Sequence, residues 1–403
     1  MYFDSHVHLG KKSFFKGLKG GNLDSLACES LPGNPWENYT KLAEKKSIFK
    51  ALVLPFPMAE LDTKTINTYV SEAFGKNREL FIPFWRISNT ICEDSIKTNS
   101  VQGFKEHFAL QKYQDPAYFA PAYDLLQQNH LFLVVHPHMS ERVEKVHYLK
   151  TNFPNLKIIL AHSGRKWPFT GEDVMEKIVP ELKKYDELYF DTSTIRDSHT
   201  IEKMVQALGS QRLFFGSDYP YYDKKNEDIY EKELQTILQA NISSNDRENI
   251  LRTNFKNLFL KDAWVRRCAK SDKEELLEMI ASIDPGERKK LALEQKMGVI
   301  HRDINNERHI YVVENHSRIP GFLRESGRPG KGAVIEEIFV EKKARGSGYA
   351  RLLLDVVIGK FKYLEAKTFK ENRPIAALFE KFGFEVEKTS TKGNMLYWKK
   401  ING

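Results

Sequence analysis

Residues 1–10 read MYFDSHVHLG, an apolar start followed by Asp4, His6 and His8. In a β-strand, side chains two apart share a face, so His6 and His8 project together with Asp4 behind them. Two imidazoles on one side of a strand end are half of a metal site. Taken alone they fit a surface strand or the debris of an expression tag equally well. The rest of the chain decides between these readings.

From this stretch to about Lys261, short apolar runs alternate with longer amphipathic stretches, the habit of a βα architecture with parallel strands. The predicted strands are MYFDSHVH (1–8), FKALVLPF (49–56), LFIPFWRI (80–87), VQGFKEHF (101–108), LFLVVHPH (131–138), LKIILAHS (156–163), ELYFDTS (187–193) and RLFFGSD (212–218). Eight such units in about 250 residues is the size of a (β/α)8 barrel, whose chemistry sits at the C-terminal ends of the strands. Strand one ends in His6 and His8, strand five in His136, strand six in His162 and strand eight in Asp218. Singly, each has a structural explanation: a core histidine, a loop residue before Pro137, a helix cap. Together they place metal-type ligands from four strands on one rim.

The segments FDSHVHLG, VVHPH, LAHSG and FGSDYP resemble the amidohydrolase superfamily of metal-dependent barrels. They are most similar to its amidohydrolase-related branch, which includes aminocarboxymuconate semialdehyde decarboxylase. ENILRTNFKNLF (248–259) resembles the last helix of that branch. The resemblance implies that His6, His8, His136 and Asp218 hold a divalent metal, expected to be Zn2+. It implies that His162 binds a second metal or polarises the substrate. Asp218 then takes a proton from the attacking water and passes it to the leaving group, and His162 stabilises the oxyanion. Arg165 is placed to clamp a substrate carboxylate. His138 is either a group behind the site or part of the following loop. On strand four, alternation puts Lys105 and His107 on one face and Glu106 on the other. A mononuclear site is expected, with Lys105 kept as a bridge or a substrate contact. Phe84, Trp85, Trp167, Tyr219, Tyr221 and Tyr222 are expected near the mouth, to meet a planar substrate or to pack the rim.

Beyond residue 261 the pattern changes. VRRCAK (265–270) reads as a strand and SDKEELLEMIASI (271–283) as a helix, with Ser271 as N-cap and Glu274 completing a capping box. RHIYVVE, RIPGFLRES and GAVIEEIFVE follow as strands, the first two as a hairpin. In IEEIFVEKKARGSGYARLLLDVV (335–357) a strand runs into a glycine-bearing turn and then an amphipathic helix near Gly348. Backbone amides at such a helix start suit a diphosphate. This stretch resembles the pyrophosphate loop of the GNAT superfamily of N-acetyltransferases, with Arg345, Gly348 and Ala350 on its pattern. ENRPIAALFEKFGFEVEK (371–388) is similar to that family's closing segment. The resemblance implies acetyl-CoA or another acyl-CoA, held by the backbone of Ile338, Phe339 and Val340 and by the amides of Arg345, Gly346, Ser347, Gly348, Tyr349 and Ala350. Asn372 lies on the pantetheine side. Glu336 is the candidate general base, and Glu337 is expected to point to the opposite face. Phe379 stands where the family often has a tyrosine that protonates the leaving thiolate.

The expected fold is α/β, a TIM-type barrel over 1–261 followed by a smaller α+β GNAT-like domain over 264–403. The expected function is bifunctional: a metal-dependent hydrolase of an amide or related bond, joined to an acyl-CoA-dependent N-acyltransferase. The alternatives are a non-oxidative decarboxylase, a lactonase or, disfavoured by FGSDYP and GFKEHF, a TatD-like nuclease, with the C-terminal domain as an acyl-CoA sensor. The 403 residues are 41% hydrophobic and 29% charged with net charge +8, acids and bases interleaved. No zinc-finger spacing, arginine-rich arm or membrane-length apolar run occurs. The partners expected are small-molecule substrates, with neither membrane nor nucleic acid, and a homo-oligomer stays open. Cys28, Cys92 and Cys268 make no disulfide framework, and no signal peptide is read, so a cytoplasmic location is expected.

Overall fold

Parallel strands need a crossover between each pair, and the amphipathic stretches between the apolar runs supply them. A computed structural model describes residues 2–15, 33–108, 111, 115–137, 142–165, 173–220, 229–260, 263–290, 293–315, 318–328, 331–391 and 393–402. They divide into two units, Met1–Phe74 with Leu80–Phe259, and Gly75–Glu79 with Leu260–Gly403.

In the first unit β1 (Tyr2–Leu9), β2 (Ile48–Pro55), β3 (Phe81–Arg86), β4 (Gly103–His107), β5 (Phe132–His136), β6 (Lys157–Leu160), β7 (Leu188–Asp191) and β8 (Leu213–Phe214) lie side by side in chain order. Each pairs in parallel with the next. Their side chains are buried on both faces, as strands between a filled interior and a ring of helices must be. β8 itself is only two residues long, shorter than the predicted run. The residues after it close the ring: Ser5 N–H donates to Phe215 O at 2.9 Å, His8 N–H to Tyr219 O at 2.8 Å, and Asp218 N–H to His6 O at 2.8 Å.

The lower interior is filled by aromatic rings. Phe3 stacks on Phe255 with centroids 5.0 Å apart, while Phe84, Phe132 and Phe214 gather around Phe259. Phe255 and Phe259 belong to the closing helix Asn254–Phe259. Gly103 makes room here, because a Cβ at this position would lie 2.2 Å from the Phe84 ring and 2.6 Å from Phe132 O. Phe84 is thus in the floor of the barrel and not near its mouth. Trp85 faces outward, donating its indole N–H to Ser71 Oγ at 2.9 Å. Both follow from the strand itself: adjacent residues of β3 face opposite ways, and Phe84 stands level with Gly103, the first residue of β4.

The second unit is a seven-stranded sheet of β9 (Ala263–Arg267), β10 (Ile310–Asn315), β11 (Arg318–Gly327), β12 (Gly332–Val340), β13 (Tyr363–Phe369), β14 (Glu385–Thr389) and β15 (Met395–Ile401). The order is β14-β15-β13-β12-β11-β10-β9. All neighbours are antiparallel except β12 and β13, which are parallel and joined through the helix Tyr349–Ile358. That helix and Arg373–Lys381 pack on one face of the sheet, and Lys273–Ala281 and Leu293–Asn305 on the other. The expected capping box at Ser271 does not form. The helix starts at Lys273 behind Asp272, whose carboxylate instead accepts Ala269 N–H at 2.7 Å and pairs with Arg266. Cys92 and Cys268 are free thiols, and Cys28 lies outside the described residues.

Replacing Phe255, which is 1% exposed, by alanine opens the barrel floor. Large-to-small core changes of this kind cost about 3–5 kcal/mol. Denaturant unfolding of Phe255→Ala should show that loss, and an unchanged midpoint would contradict the plug.

Candidate functional site

The upper rim of the barrel gathers the predicted side chains from the ends of β1, β5, β6 and β8. His6 and His8 come from β1, as period-two alternation requires, with their Nε2 atoms 3.1 Å apart. Asp218 Oδ1 lies 3.5 Å from each of those nitrogens. His162 Nε2 stands 3.9 Å from Asp218 Oδ2, and its ring stacks on that of His6 at 5.0 Å. His6, His162 and Asp218 each offer a ligand atom within 4.8 Å of the others. His136 sits one ring further out. It stacks on His107 with centroids 3.9 Å apart and meets His162 edge-on at 4.8 Å.

Hydrogen bonds behind the rings fix which nitrogens carry protons. His8 Nδ1 faces Pro55 O at 3.0 Å, and a carbonyl only accepts, so Nδ1 is the protonated atom. His6 Nδ1 donates to Asp191 Oδ2 at 2.8 Å. Ser193 Oγ gives its single proton to Asp191 Oδ1 and therefore accepts from His162 Nδ1 at 2.7 Å. The three Nε2 atoms are left as lone pairs around the Asp218 carboxylate, those of His6 and His162 lying within 4.8 Å of each other. Burial holds His6 and His162 well below the ordinary imidazole range, with neighbouring cations and imidazoles adding to the effect for both and Asp218 opposing it at His6. Lone pairs facing each other at 3.1 Å repel unless a cation lies between them, so the donor set fits a divalent metal with nitrogen and oxygen ligands. The same network turns the Nε2 lone pair of His162 toward Asp218, the orientation of a metal-type ligand.

Lys105 projects into this group, with Nζ 3.2 Å from His6 Nε2, at 1% exposure. Burial pushes its ammonium down to about 8, while Asp191 and Asp218 pull the other way. The predicted alternation on β4 holds, because Glu106 points outward to Lys145 at 2.7 Å and Tyr123 Oη at 2.8 Å. Arg165 donates from Nε to Thr194 Oγ1 at 2.5 Å, and the charge of Asp218 acts on it. Tyr219 lies beside Tyr39 at 5.9 Å. His138, Trp167, Tyr221 and Tyr222 lie outside the described residues.

Three supporting residues escaped the sequence reading in this role. Asp191 and Ser193 end β7 in ELYFDTS, and the strand-end rule that found His162 applies equally to them. Asp4 accepts Tyr39 Oη, Ser217 N, Ser217 Oγ and His6 N at 2.6–3.1 Å. It thereby ties β1 to the residue preceding Asp218, and burial raises it to about 6.

In the second unit β12 pairs with β13 only from Gly332 to Ile335, although both strands continue. The edge of residues 336–340 facing β13 thus parts from its neighbour, and the backbone of Ile338, Phe339 and Val340 lies along the gap. Opposite, Arg324 pairs with Glu337 and Glu325 with Ile335, so Glu336 is the extra residue of a bulge. Glu336 accepts Ser326 Oγ at 2.6 Å. The bulge spoils simple alternation. Glu337 is buried against Lys296 and Arg324, yet Arg324 Nη2 is also 3.9 Å from Glu336, so the two acids are not cleanly on opposite faces.

Gly346 and Gly348 have φ of 88° and 81° and open the turn before Tyr349–Ile358, whose first amides lack intrahelical partners. Ser347, Tyr349 and Ala350 share this turn, and Arg345 Nε donates to Val340 O at 3.1 Å. The strand gap and this glycine turn fit a pantetheine diphosphate. Asn372 is exposed at the start of Arg373–Lys381. Phe379 is a core residue, 2% exposed and packed on Phe384 and Trp398.

Residues 95–259 match the amidohydrolase family model, and residues 306–386 match the acetyltransferase (GNAT) domain model. Both expected families are thus matched, each over part of the chain. No curated protein matches it. Among solved structures, a protein from Pseudomonas putida assigned as a 2-pyrone-4,6-dicarboxylic acid hydrolase is 16% identical. That likeness covers 64% of this chain and 97% of the other, with a TM-score of 0.52. A counterpart from Acinetobacter baumannii, solved with citric acid, is 14% identical over 64% and 98% of the two chains, with a TM-score of 0.53. At these identities the likeness establishes the barrel fold.

His6, His107, His136 and His162 are all held well below 6.5, with burial the largest cause. An unfolded chain takes up these protons near 6.5, so below that pH it binds more of them than the folded barrel. Stability is complete above the unfolded value and falls as the medium is acidified. Denaturation midpoints of the metal-stripped protein should drop between about pH 7 and about pH 5. Equal midpoints would contradict the neutral imidazole cluster.

Proposed function

We propose that this chain, with an amidohydrolase-family match in its barrel and a GNAT match in its second unit, is a bifunctional enzyme. The barrel is a metal-dependent hydrolase of an amide or related bond in a small carboxylated molecule. The second unit is an acyl-CoA-dependent N-acyltransferase.

The observation that carries the first half is the convergence of three unprotonated Nε2 atoms on Asp218. His6, His8, His162 and Asp218 would hold a divalent cation such as Zn2+, with His136 beside them. When bound, the cation supplies Lewis acidity at the rim. The rest falls to the chain's own groups. Asp218 accepts the proton of the attacking water as oxygen bonds to the carbonyl carbon, then returns it to the departing nitrogen as the C–N bond breaks. Asp191 keeps the His6 and His162 rings turned. Arg165, within the field of Asp218, orients a substrate carboxylate. The same arginine favours a second reading, in which the carboxylate it holds is lost as carbon dioxide or belongs to a lactone.

In the second unit the parted edge of β12 and the glycine turn support acyl-CoA binding. Glu336 would take the proton of the acceptor amine as nitrogen attacks the thioester carbonyl and the thiolate leaves. Phe379 supplies no proton from its place in the core, so the thiolate departs on its own or with solvent.

Metal analysis of the native protein, with an amide, lactone and decarboxylation screen, tests the barrel. About one divalent cation per chain is expected, and Asp218→Asn should lose on the order of 10²–10⁴-fold in rate. A metal-free, well-folded and active protein would sink the mechanism. For the second unit, Gly348→Ala meets no neighbour within 4 Å but stands where φ is 81°. An alanine relaxes the free turn out of that region, and restoring it on binding costs about 1–2 kcal/mol, so acetyl-CoA affinity should fall roughly tenfold. Unchanged affinity would remove the turn from the site.

A further inference from the structure

The second unit contains a cavity of about 540 Å³ that neither proposed active centre accounts for. It lies where β11 ends and β12 and β13 begin, beside the last turn of Leu293–Asn305. Its chemistry is divided. Toward the interior stand Asp303 and Glu325, 4% exposed each. Asp303 is paired with Arg324 at 3.3 Å, and Arg324 is further engaged by Glu337. Glu325 is different. Its Oε1 faces His309 Nδ1 at 3.2 Å, while Oε2 is buried with no hydrogen-bond partner. A carboxylate oxygen out of water without a donor is costly and marks a place where a donor belongs. At the rim are Arg328 and Lys331, together with Arg302, which pairs with Asp303 at 3.6 Å, and the half-exposed ring of Tyr363 is a side wall. Gly332 has no side chain to displace that ring, since a Cβ there would lie 2.0 Å from it.

We propose that this cavity binds a small amino carboxylate, its ammonium on Glu325 Oε2 and its carboxylate among Arg302, Arg328 and Lys331. The ammonium brings the missing donor to a buried acid, and the rim cations meet the opposite end of the molecule. A simple anion would leave Glu325 unsatisfied and repelled, and a simple amine would bring no counter-charge to Arg328 and Lys331. The cavity also adjoins Glu336, because its lining residue Ser326 donates to Glu336 Oε1 at 2.6 Å. The bound amino carboxylate is therefore assigned as the acyl acceptor, an assignment that rests on the acyltransferase reading.

The test is calorimetric titration of the full chain, without acyl-CoA, by each of the twenty common amino acids. Whichever binds is compared with its decarboxylated amine and its N-acetyl derivative. Saturable binding of at least one amino acid is expected, with at least tenfold weaker binding of both derivatives. Glu325→Gln should weaken binding at least tenfold. So should the exposed pair Arg328→Ala with Lys331→Ala, which leaves the buried network intact and serves if the first variant does not fold. Absence of saturation by any amino acid, equal binding of the derivatives, or parental affinity in the folded variants overturns the site. Thiol release with acetyl-CoA is then measured separately. Release that depends on the bound amino acid supports the acceptor role. Binding without release overturns that role and the acyltransferase reading together, while the binding site itself is upheld by the titration.

Discussion

The hydrogen bond from Asp218 N–H to His6 O, 2.8 Å long, joins the segment that follows the last strand of the barrel to the first strand. It closes the ring of strands, and in doing so sets a carboxylate beside two imidazoles that the chain encounters more than two hundred residues earlier. Fold closure and site assembly are one event here. Asp4 strengthens the same seam from below by holding Ser217, so a buried acid in the first strand controls where an acid after the eighth can stand. The floor of phenylalanines then fills the volume under this seam, and the polar rim stays clear of the apolar core.

Asp191 organises what the seam brings together. One carboxylate takes the His6 Nδ1 proton directly and governs His162 through Ser193, so two imidazoles from different strands share one orienting charge. Fixing ring tautomers from behind is what keeps donor atoms facing a common point. Burial and the mutual repulsion of the inward lone pairs, eased at His6 by Lys105 Nζ 3.2 Å away, both favour a cation at this point. Strain of this kind belongs to sites that expect a positive charge.

Much of this was legible in the sequence because its signals are local. Each strand run was marked by its apolar residues, and the position of His6, His8, His162 and Asp218 at run ends needed no knowledge of packing. Asp191 shares that strand-end position in ELYFDTS, but nothing within the segment shows that its carboxylate faces His6 of β1. Other features depend on register, which no single segment carries. Phe84 and Trp85 end in the floor and on the outside because of where β3 starts relative to β4. The bulge at Glu336 is a mismatch between β11 and β12, so alternation within β12 alone could not separate the roles of Glu336 and Glu337. Asp272 displaced Ser271 as the residue before the helix because Arg266, on the neighbouring strand, fixes its carboxylate.

The parting of β12 from β13 has a meaning beyond catalysis. A strand that leaves its partner midway exposes a row of amide and carbonyl groups inside a sheet, where water must serve as the missing neighbour. An extended ligand with amides of its own would replace that water group for group. Such an exchange yields little net energy per hydrogen bond but demands an exact register along the strand. The sheet of the second unit is in this sense a sheet built one strand short, with its vacancy serving as a ruler for whatever lies in it.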